Sequence, residues 1–581
     1  MSGDGTRLPG FARRFFDAEE TFTRIGKGAI GGKATGLLLA RERIVSRVAG
    51  DEFPGFEVAV PTLAIVTTDL FEAFMERNEL HAVARSGEPD DRIAHAFQKA
   101  SLPAEYVGDL RALISDVHTP LAIRSSSLLE DALAHPFAGV YATKMIPNNQ
   151  ADADSRFRRL VEAIKFVFAS TFFGAARSYI RSIGRDSSEE RMAVIIQEIA
   201  GTRVRDRFYP SVSGVARSYN YYPTGRNRHE DGVVSLALGL GKTIVDGGLC
   251  WSYAPAYPKS PPPYKDTSDL LKYTQTEFWA VNMGKPPLPD PVRETEYLVK
   301  LTLADAEADG TLGLLASTYD VQSDHFYPGL AGKGPRLVDF SPVLGGSDVP
   351  LNDLVRRLLD VSREALGADV EVEFAVTLDP MHGVPARLGF LQVRPMAVSG
   401  GDVHLDESAM TAEGVILSSD LVLGNGRRDD IRDVVFLKPS AFDPARTPAM
   451  AVELEAVNAA LVDLGAPYLL IGFGRLGSTD PWLGVPVEWG QISGARVIVE
   501  ATLPSMSPEP SQGSHFFHNM IGLGVLYLCV GQGDRERIDW QWLESRETVS
   551  EGAFVRHVRC GAPLEIVVDG SGRRGIVRHD G

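Results

Sequence analysis

The chain has 581 residues, and at about 150 residues per domain this length suggests three or four domains with sizeable cores. Its 59 Lys and Arg stand against 76 Asp and Glu, a formal net charge of -17, which argues against partnership with nucleic acid or with an anionic membrane surface. Hydrophobic content of 44% with 23% charged residues matches a folded soluble protein and excludes wholesale disorder. Cys250, Cys529 and Cys560 lie far apart with no CxxC pair, so neither a disulfide framework nor a zinc finger is expected, and a reducing cytoplasm is the expected location. No apolar run follows the basic residues near Met1, and none reaches the ~18 residues that span a bilayer, so neither a signal nor an anchor is expected.

The first chemical signal along the chain is Gly26-Lys27-Gly28-Ala29-Ile30-Gly31-Gly32-Lys33, followed by Leu37, Ala40, Ile44 and Val48 at helical spacing. Glycines ahead of a helix let backbone N–H groups reach a phosphate, and Lys33 falls in the first turn as a point charge. It is not a Walker A loop, since Lys27 stands where the first Gly belongs and Ala34 where Ser or Thr would bind magnesium. An ordinary turn capping a helix is the simpler account of these residues taken alone.

Next, the apolar run Leu121 to Ile123 leads through Arg124 into Ser125-Ser126-Ser127, then Glu130-Asp131 and Phe137-Ala138-Gly139. A buried strand that delivers an Arg into a hydroxyl-rich loop suits a polyphosphate, because a guanidinium forks onto two oxygens; a Ser-rich turn with a helix cap is the alternative. Helix-period residues from Arg156 to Phe168 and strand-like runs Met192 to Ile196 and Val233 to Leu238 follow, so an α/β or α+β mixture is expected. The Gly-rich Gly239-Leu240-Gly241-Lys242-Thr243 also fails the Walker spacing.

Strict alternation in Val370-Glu371-Val372-Glu373-Phe374-Ala375-Val376 puts both carboxylates on one strand face, roughly 7 Å apart, where they can share magnesium with a nucleotide's phosphates. Phe390-Leu391-Gln392-Val393-Arg394-Pro395 places Gln392 and Arg394 on one face in the same way. If the two strands pair, one face holds two acids, an amide and an Arg; a solvated hairpin with a cross-strand ion pair is the alternative.

Taken together and in order, Gly31-Gly32-Lys33-Ala34, Val60-Pro61 to Thr67-Thr68-Asp69, Arg124-Ser125-Ser126 to Phe137-Ala138-Gly139, Ala193 to Gln197, Ser213-Gly214-Val215-Ala216, Gly239-Leu240-Gly241, Glu371-Val372-Glu373-Phe374 and Leu391-Gln392-Val393-Arg394-Pro395 resemble the ATP-grasp nucleotide-binding domain of phosphoenolpyruvate synthase and pyruvate phosphate dikinase, over roughly residues 20 to 397. The resemblance implies a two-lobed α+β domain that takes ATP with Mg2+, a subregion at 20–110 and its remainder at 111–397. It implies that Lys33, Arg124 and Arg394 contact phosphates and that Glu371 and Glu373 hold magnesium. It also implies that Gln392 contacts phosphate or ribose, that Gln197, Glu198 and Ile199 form the hinge strand near adenine, and that Gly239 and Gly241 belong to the nucleotide site.

The Pro- and Gly-rich segment around Val398-Ser399-Gly400-Gly401-Asp402 marks the expected boundary of a second α/β domain, 402–581. About 180 residues remain there, short of the ~250 of a TIM barrel, so the family's pyruvate-binding barrel is not expected. Gly513-Ser514-His515-Phe516-Phe517 followed by Gly522-Leu523-Gly524 resembles a diverged swivelling phosphohistidine domain, with Leu564 to Gly570 and Gly575-Ile576-Val577 as its closing strand pair. On that resemblance His515 is the phosphoacceptor, although two Phe stand where the family has Ala. His515 also reads as a helix-capping or core histidine, or as half of a metal site with His518.

The expected activity is an ATP-dependent, dikinase-like phosphotransferase that releases AMP and passes the phosphoryl group to an unknown acceptor, a small molecule or a partner protein. Two alternatives stand beside it: an ATP-binding regulatory module without turnover, which Lys242 after Gly-Leu-Gly favours, and an ATP-grasp ligase that releases ADP.

Overall fold

The computed structural model describes residues 8–12, 21–48, 52–130, 139–182, 185, 190–221, 223, 226–260, 267–345, 349–378, 386–396, 403–478, 480, 482–503, 520, 524–531, 536–570 and 572–579. They form two compact units: the first comprises residues up to Ser218 with Glu230–Ile244 and Leu249–Met396, and the second comprises Tyr219–His229, Val245–Gly248 and the chain from Ala397 onward.

The first unit runs β1 (Phe22–Ile25), α1 (Gly32–Leu39), β2 (Phe56–Ala59), β3 (Leu63–Val66), β4 (Leu121–Ser127), β5 (Thr143–Ile146), α2 (Ala153–Ser170) and β6 (Met192–Glu198). It continues through β7 (Val212–Arg217), β8 (Val233–Ala237), β9 (Trp251–Tyr253), α3 (Leu351–Leu366), β10 (Val370–Thr377) and β11 (Ala386–Pro395). Two mixed sheets carry the chemistry, one ordered β1-β3-β6-β4-β5 and the other β9-β8-β7-β10-β11-β2. The first has a parallel β1–β3 pair and antiparallel neighbours elsewhere; in the second only β11–β2 is parallel. The fold class is the expected mixture of helices and strands.

The apolar positions explain these elements. Leu37, Ala40, Ile44 and Val48 are buried to 1% exposure or less, on α1 and the helical turns that follow it. They join α3, whose Leu351, Leu354, Val355 and Leu358 are equally buried, and the inward face of β10 in one core. A spacing of three and four residues keeps one helix face on the sheet, and each Leu, Ile or Val among them contributes about 1.5–3 kcal/mol on burial. One expectation is corrected here. Ser125, Ser126 and Ser127 are not a loop but the last three residues of β4, all with no exposed surface, because their backbones pair with Val194, Ala193 and Met192 of β6.

The second unit is built on one large sheet. Its strands are β12 (Val415–Ser419), β13 (Leu421–Leu423), β14 (Gly426–Leu437), β15 (Tyr468–Phe473), β16 (Ala495–Ala501), β17 (Leu526–Val530), β18 (Arg537–Ile538), β19 (Glu547–Glu551), β20 (Val555–Asp569) and β21 (Arg574–Arg578). Their order is β13-β17-β16-β15-β14-β20-β21-β12-β18, with β19 on β20, and β14 to β17 are mutually parallel. The chain-closing pair expected from Leu564 to Gly570 and Gly575 to Val577 forms, antiparallel, with Val568 opposite Gly575. His515 and its neighbours 504–519 lie outside the described residues.

Glu500, on β16, is buried and accepts from the Leu476 N–H at 2.7 Å and the Tyr527 hydroxyl at 2.5 Å. Burial pushes its carboxyl up to about 7 from an ordinary 4.5, against the opposing pull of those donors and of Arg475. Between these two values the folded protein keeps a proton that the unfolded chain releases, so stability falls as pH rises through that window, by up to about 3 kcal/mol. In Glu500→Gln that slope is expected to flatten; urea unfolding on either side of the window measures it, and an unchanged slope contradicts the assignment.

Candidate nucleotide site

β4 and β6 of one sheet and β10 and β11 of the other bring the expected residues together through Arg124. Its Nη1 donates to the Leu391 carbonyl at 2.9 Å and to Gln197 Oε1 at 3.2 Å, and its Nη2 donates to Gln392 Oε1 at 2.8 Å. Nη2 also lies 3.8 Å from a Glu373 carboxylate oxygen. The Leu391 carbonyl is available because β11 carries one extra residue there: Glu373 pairs with Gln392 and Phe374 with Phe390, which leaves Leu391 bulged out of the ladder. Gln197 has a second use, since its Nε2 is buried with no hydrogen-bond partner and is a ready donor to a ligand.

β10 and β11 pair as the alternation requires, Glu371 opposite Arg394 and Glu373 opposite Gln392. Val370, Val372, Phe374 and Val376 face the core at 1% exposure or less. The polar face is not solvated: Glu371 is 2%, Arg394 4% and Gln392 5% exposed. Glu371 Oε1 accepts from Arg394 Nε at 2.8 Å and also from its Nη2, while Oε2 accepts from Arg217 Nε at 2.6 Å. Arg217, on β7, is a residue that sequence reasoning missed.

Lys33 sits in the first turn of α1, its Nζ 3.1 Å from Glu130 Oε1 and 3.5 Å from Ser125 Oγ. Glu130 is nearly fully buried and also accepts from Ser125 Oγ and the Ser127 N–H. Ser126 Oγ takes the Ala34 N–H at 3.0 Å and donates to the Ile30 carbonyl, so the serines of β4 carry the glycine loop. From the other side Asp69 accepts from the Lys27 N–H at 2.8 Å and Thr68 Oγ1 from the Ala29 N–H at 3.1 Å. Burial opposes the charge on Asp69, but hydrogen bonds from Thr67, Lys27 and Gly28 hold its carboxyl below the usual range. A cavity of about 780 Å³ borders the loop at Gly28–Gly32, Thr35, Glu130, Val393 and Pro395, without Lys33, Arg124, Glu373 or Gln392 in its walls.

The remaining expected residues lie around this centre. Glu198 accepts from Thr119 Oγ1, and Ile199 joins Leu240, Phe208, Val281 and Met283 in one apolar cluster. Gly239 accepts from Ser213 Oγ, and Gly241 follows it beside Ser213.

Magnesium takes oxygen donors and shares them with phosphates. Glu373 offers a carboxylate that fits such a shared ion, while the amide oxygen of Gln392, opposite it on the adjacent strand, already accepts from Arg124 Nη2 at 2.8 Å. Among the described residues no group of three or more His, Cys, Asp or Glu converges to hold a metal alone.

Residues 27–414 match the pyruvate phosphate dikinase AMP/ATP-binding domain, two thirds of the chain. The chain belongs to that family. Two relatives are more distant. An uncharacterized phosphotransferase, YvkC, of Bacillus subtilis is 24% identical over 201 residues, 33% of this chain and 20% of that protein. A rifampicin phosphotransferase of Streptomyces sviceus is 27% identical over 234 residues, 38% of this chain and 23% of that protein. The matched segments therefore span about a fifth of the length of these relatives. Among the described residues no helix is long and apolar enough to cross a membrane.

The family's glycine loop allows a direct test. Gly31 has φ +78°, and a Cβ there would stand 1.8 Å from the Ser126 carbonyl oxygen. Gly87 has φ +70° but nothing within 4 Å of a Cβ. Gly87→Ala is expected to cost about 1 kcal/mol, from handedness alone. Gly31→Ala should cost about 2–3 kcal/mol and weaken nucleotide binding as well, because the loop must move off β4. Denaturant unfolding of the two variants checks the difference.

Proposed function

We propose that the chain is an ATP-dependent, dikinase-like phosphotransferase, with Mg·ATP bound in the first unit. The observation that carries this reading is the convergence on Arg124 of Gln197, Glu373, Gln392 and the bulged Leu391 carbonyl, from two sheets, within a domain of the AMP/ATP-binding family. Lys33, Arg124 and Arg394 neutralise charge that develops on the transferring group. Glu373 would hold magnesium, which supplies charge neutralisation at the phosphate oxygens when bound. The apolar cluster of Ile199 and Leu240 suits the flat face of adenine, and Gln197 Nε2, two residues before Ile199 in sequence, is a buried donor.

In this reading a His515 imidazole nitrogen attacks the β-phosphorus. The bond from that phosphorus to the α,β-bridging oxygen breaks, AMP leaves with the oxygen, and His515 carries the pyrophosphoryl group. Water takes the terminal phosphoryl group as inorganic phosphate, leaving phosphohistidine, and the remaining phosphoryl group passes from the His515 nitrogen to the acceptor, a small molecule or a partner protein. The word phosphotransferase in the names of both relatives supports this class of chemistry.

The experiment is to incubate the full chain with Mg2+ and β-phosphate-labelled ATP, quench in alkali, and follow retained label and released AMP. Acid-labile label with AMP is expected, both lost in His515→Ala. In Arg124→Met the nucleotide is expected to bind at least about tenfold more weakly, because the one group that ties both sheets to it is gone. ADP without retained label replaces this reading with direct transfer or ligation. Tight ATP binding without product replaces it with a regulatory module.

A further inference from the structure

We propose that Arg217 is a positioning residue of the nucleotide site, and that Glu371 serves it and Arg394 rather than a metal. The inference rests on the nucleotide-binding reading above. Arg217, Glu371 and Arg394 stand side by side on three adjacent strands, Glu371 in register with Arg217 of β7 on one side and with Arg394 of β11 on the other. Each carboxylate oxygen is taken by a different guanidinium: Oε2 by Arg217 Nε at 2.6 Å, Oε1 by Arg394 Nε at 2.8 Å. Arg217 has no exposed surface, and its Nη1 and Nη2 are buried without a hydrogen-bond partner.

A guanidinium buried at that cost is held by its charge, and the charge it faces is Glu371. With both oxygens of Glu371 engaged by cations, a dication approaching it meets two positive groups already in place at low dielectric. Glu373, two residues along the same face, is in a different state. Its side chain is 18% exposed and its ion pair with Arg124 is a long 3.8 Å. The two acids of the alternating strand therefore divide the work: Glu373 faces the metal, and Glu371, steadied by Arg217, fixes the fork of Arg394. The three charged groups sum to +1, a local excess that suits a phosphate in a protein of net charge -17.

The test is the binding of a non-hydrolysable ATP analogue, adenylyl imidodiphosphate, by calorimetry across a wide range of Mg2+, with thermal unfolding of each nucleotide-free protein as a control. In Glu373→Gln the Mg2+ midpoint for nucleotide binding is expected to rise about tenfold or more. In Glu371→Gln and Arg217→Met it should stay within about twofold of the parent, while affinity at saturating Mg2+ falls roughly tenfold because Arg394 is no longer fixed. Glu371→Gln leaves two buried guanidiniums facing each other and risks misfolding; Arg217→Met leaves a neutral Glu371–Arg394 pair and keeps the test open. Arg217→Lys, a point charge at the same place, should restore part of the affinity. A Glu371→Gln or Arg217→Met midpoint shifted as far as that of Glu373→Gln overturns the inference alone. A parent protein that binds no nucleotide at any Mg2+ overturns the underlying reading instead.

Discussion

The Arg124 guanidinium is the tie between the two sheets of the first unit. It starts on β4, and its donors end on a main-chain carbonyl and a side-chain amide of β11 and on an amide of β6. A largely buried cation of this kind is stable only while its donors are matched. Three oxygens from two strands must therefore hold station, and the bulge at Leu391 supplies one that a regular ladder would have used. The same requirement makes the place receptive to phosphate. Donors spread over neutral oxygens, with a single carboxylate at 3.8 Å, gain when an anion arrives.

Charge bookkeeping at the site follows one rule, that each cation has an acidic partner set back from it. Lys33 rests on Glu130, Arg124 near Glu373, and Arg217 with Arg394 on Glu371. Four cations against three acids leave an excess of one, inside a protein whose acids outnumber its bases. Glu130 and Glu371 are buried and fully engaged, so they orient their cations; Glu373 keeps more of its surface and so keeps its capacity for a further ligand.

The strands were legible because burial leaves a local trace. The apolar runs from Leu121 and Met192 and the alternation from Val370 lie within the strands that form, short of their ends. The run from Val233 passes its strand at Leu238, and the helical spacing from Leu37 continues beyond α1 into the turns that follow it. Partners across long sequence separations left none. Nothing in Ser213-Gly214-Val215-Ala216-Arg217 announces that Arg217 meets Glu371, 154 residues on, and Glu130 is 97 residues from Lys33. The serines after Arg124 were misread as loop because Ser disfavours neither state strongly, and only pairing with β6 decides it.

The glycine loop shows how a correct motif can carry a different division of labour. The N–H groups of Lys27 and Gly28 are turned to the Asp69 carboxylate and that of Ala29 to the Thr68 hydroxyl, while Ala34 donates to Ser126. Those amides are spoken for by the protein, so the loop's first half is fastened rather than left open as an anion cradle. The glycines serve close approach: a side chain at Gly31 or Gly32 would run into the backbone of β4 or of Glu130. Held down this tightly, the loop delivers α1, and with it Lys33, to a fixed place beside Ser125. In the proposed reading phosphate recognition then falls on side-chain cations anchored by buried acids, and those acids, more than the amides of the loop's first half, set the geometry of the site.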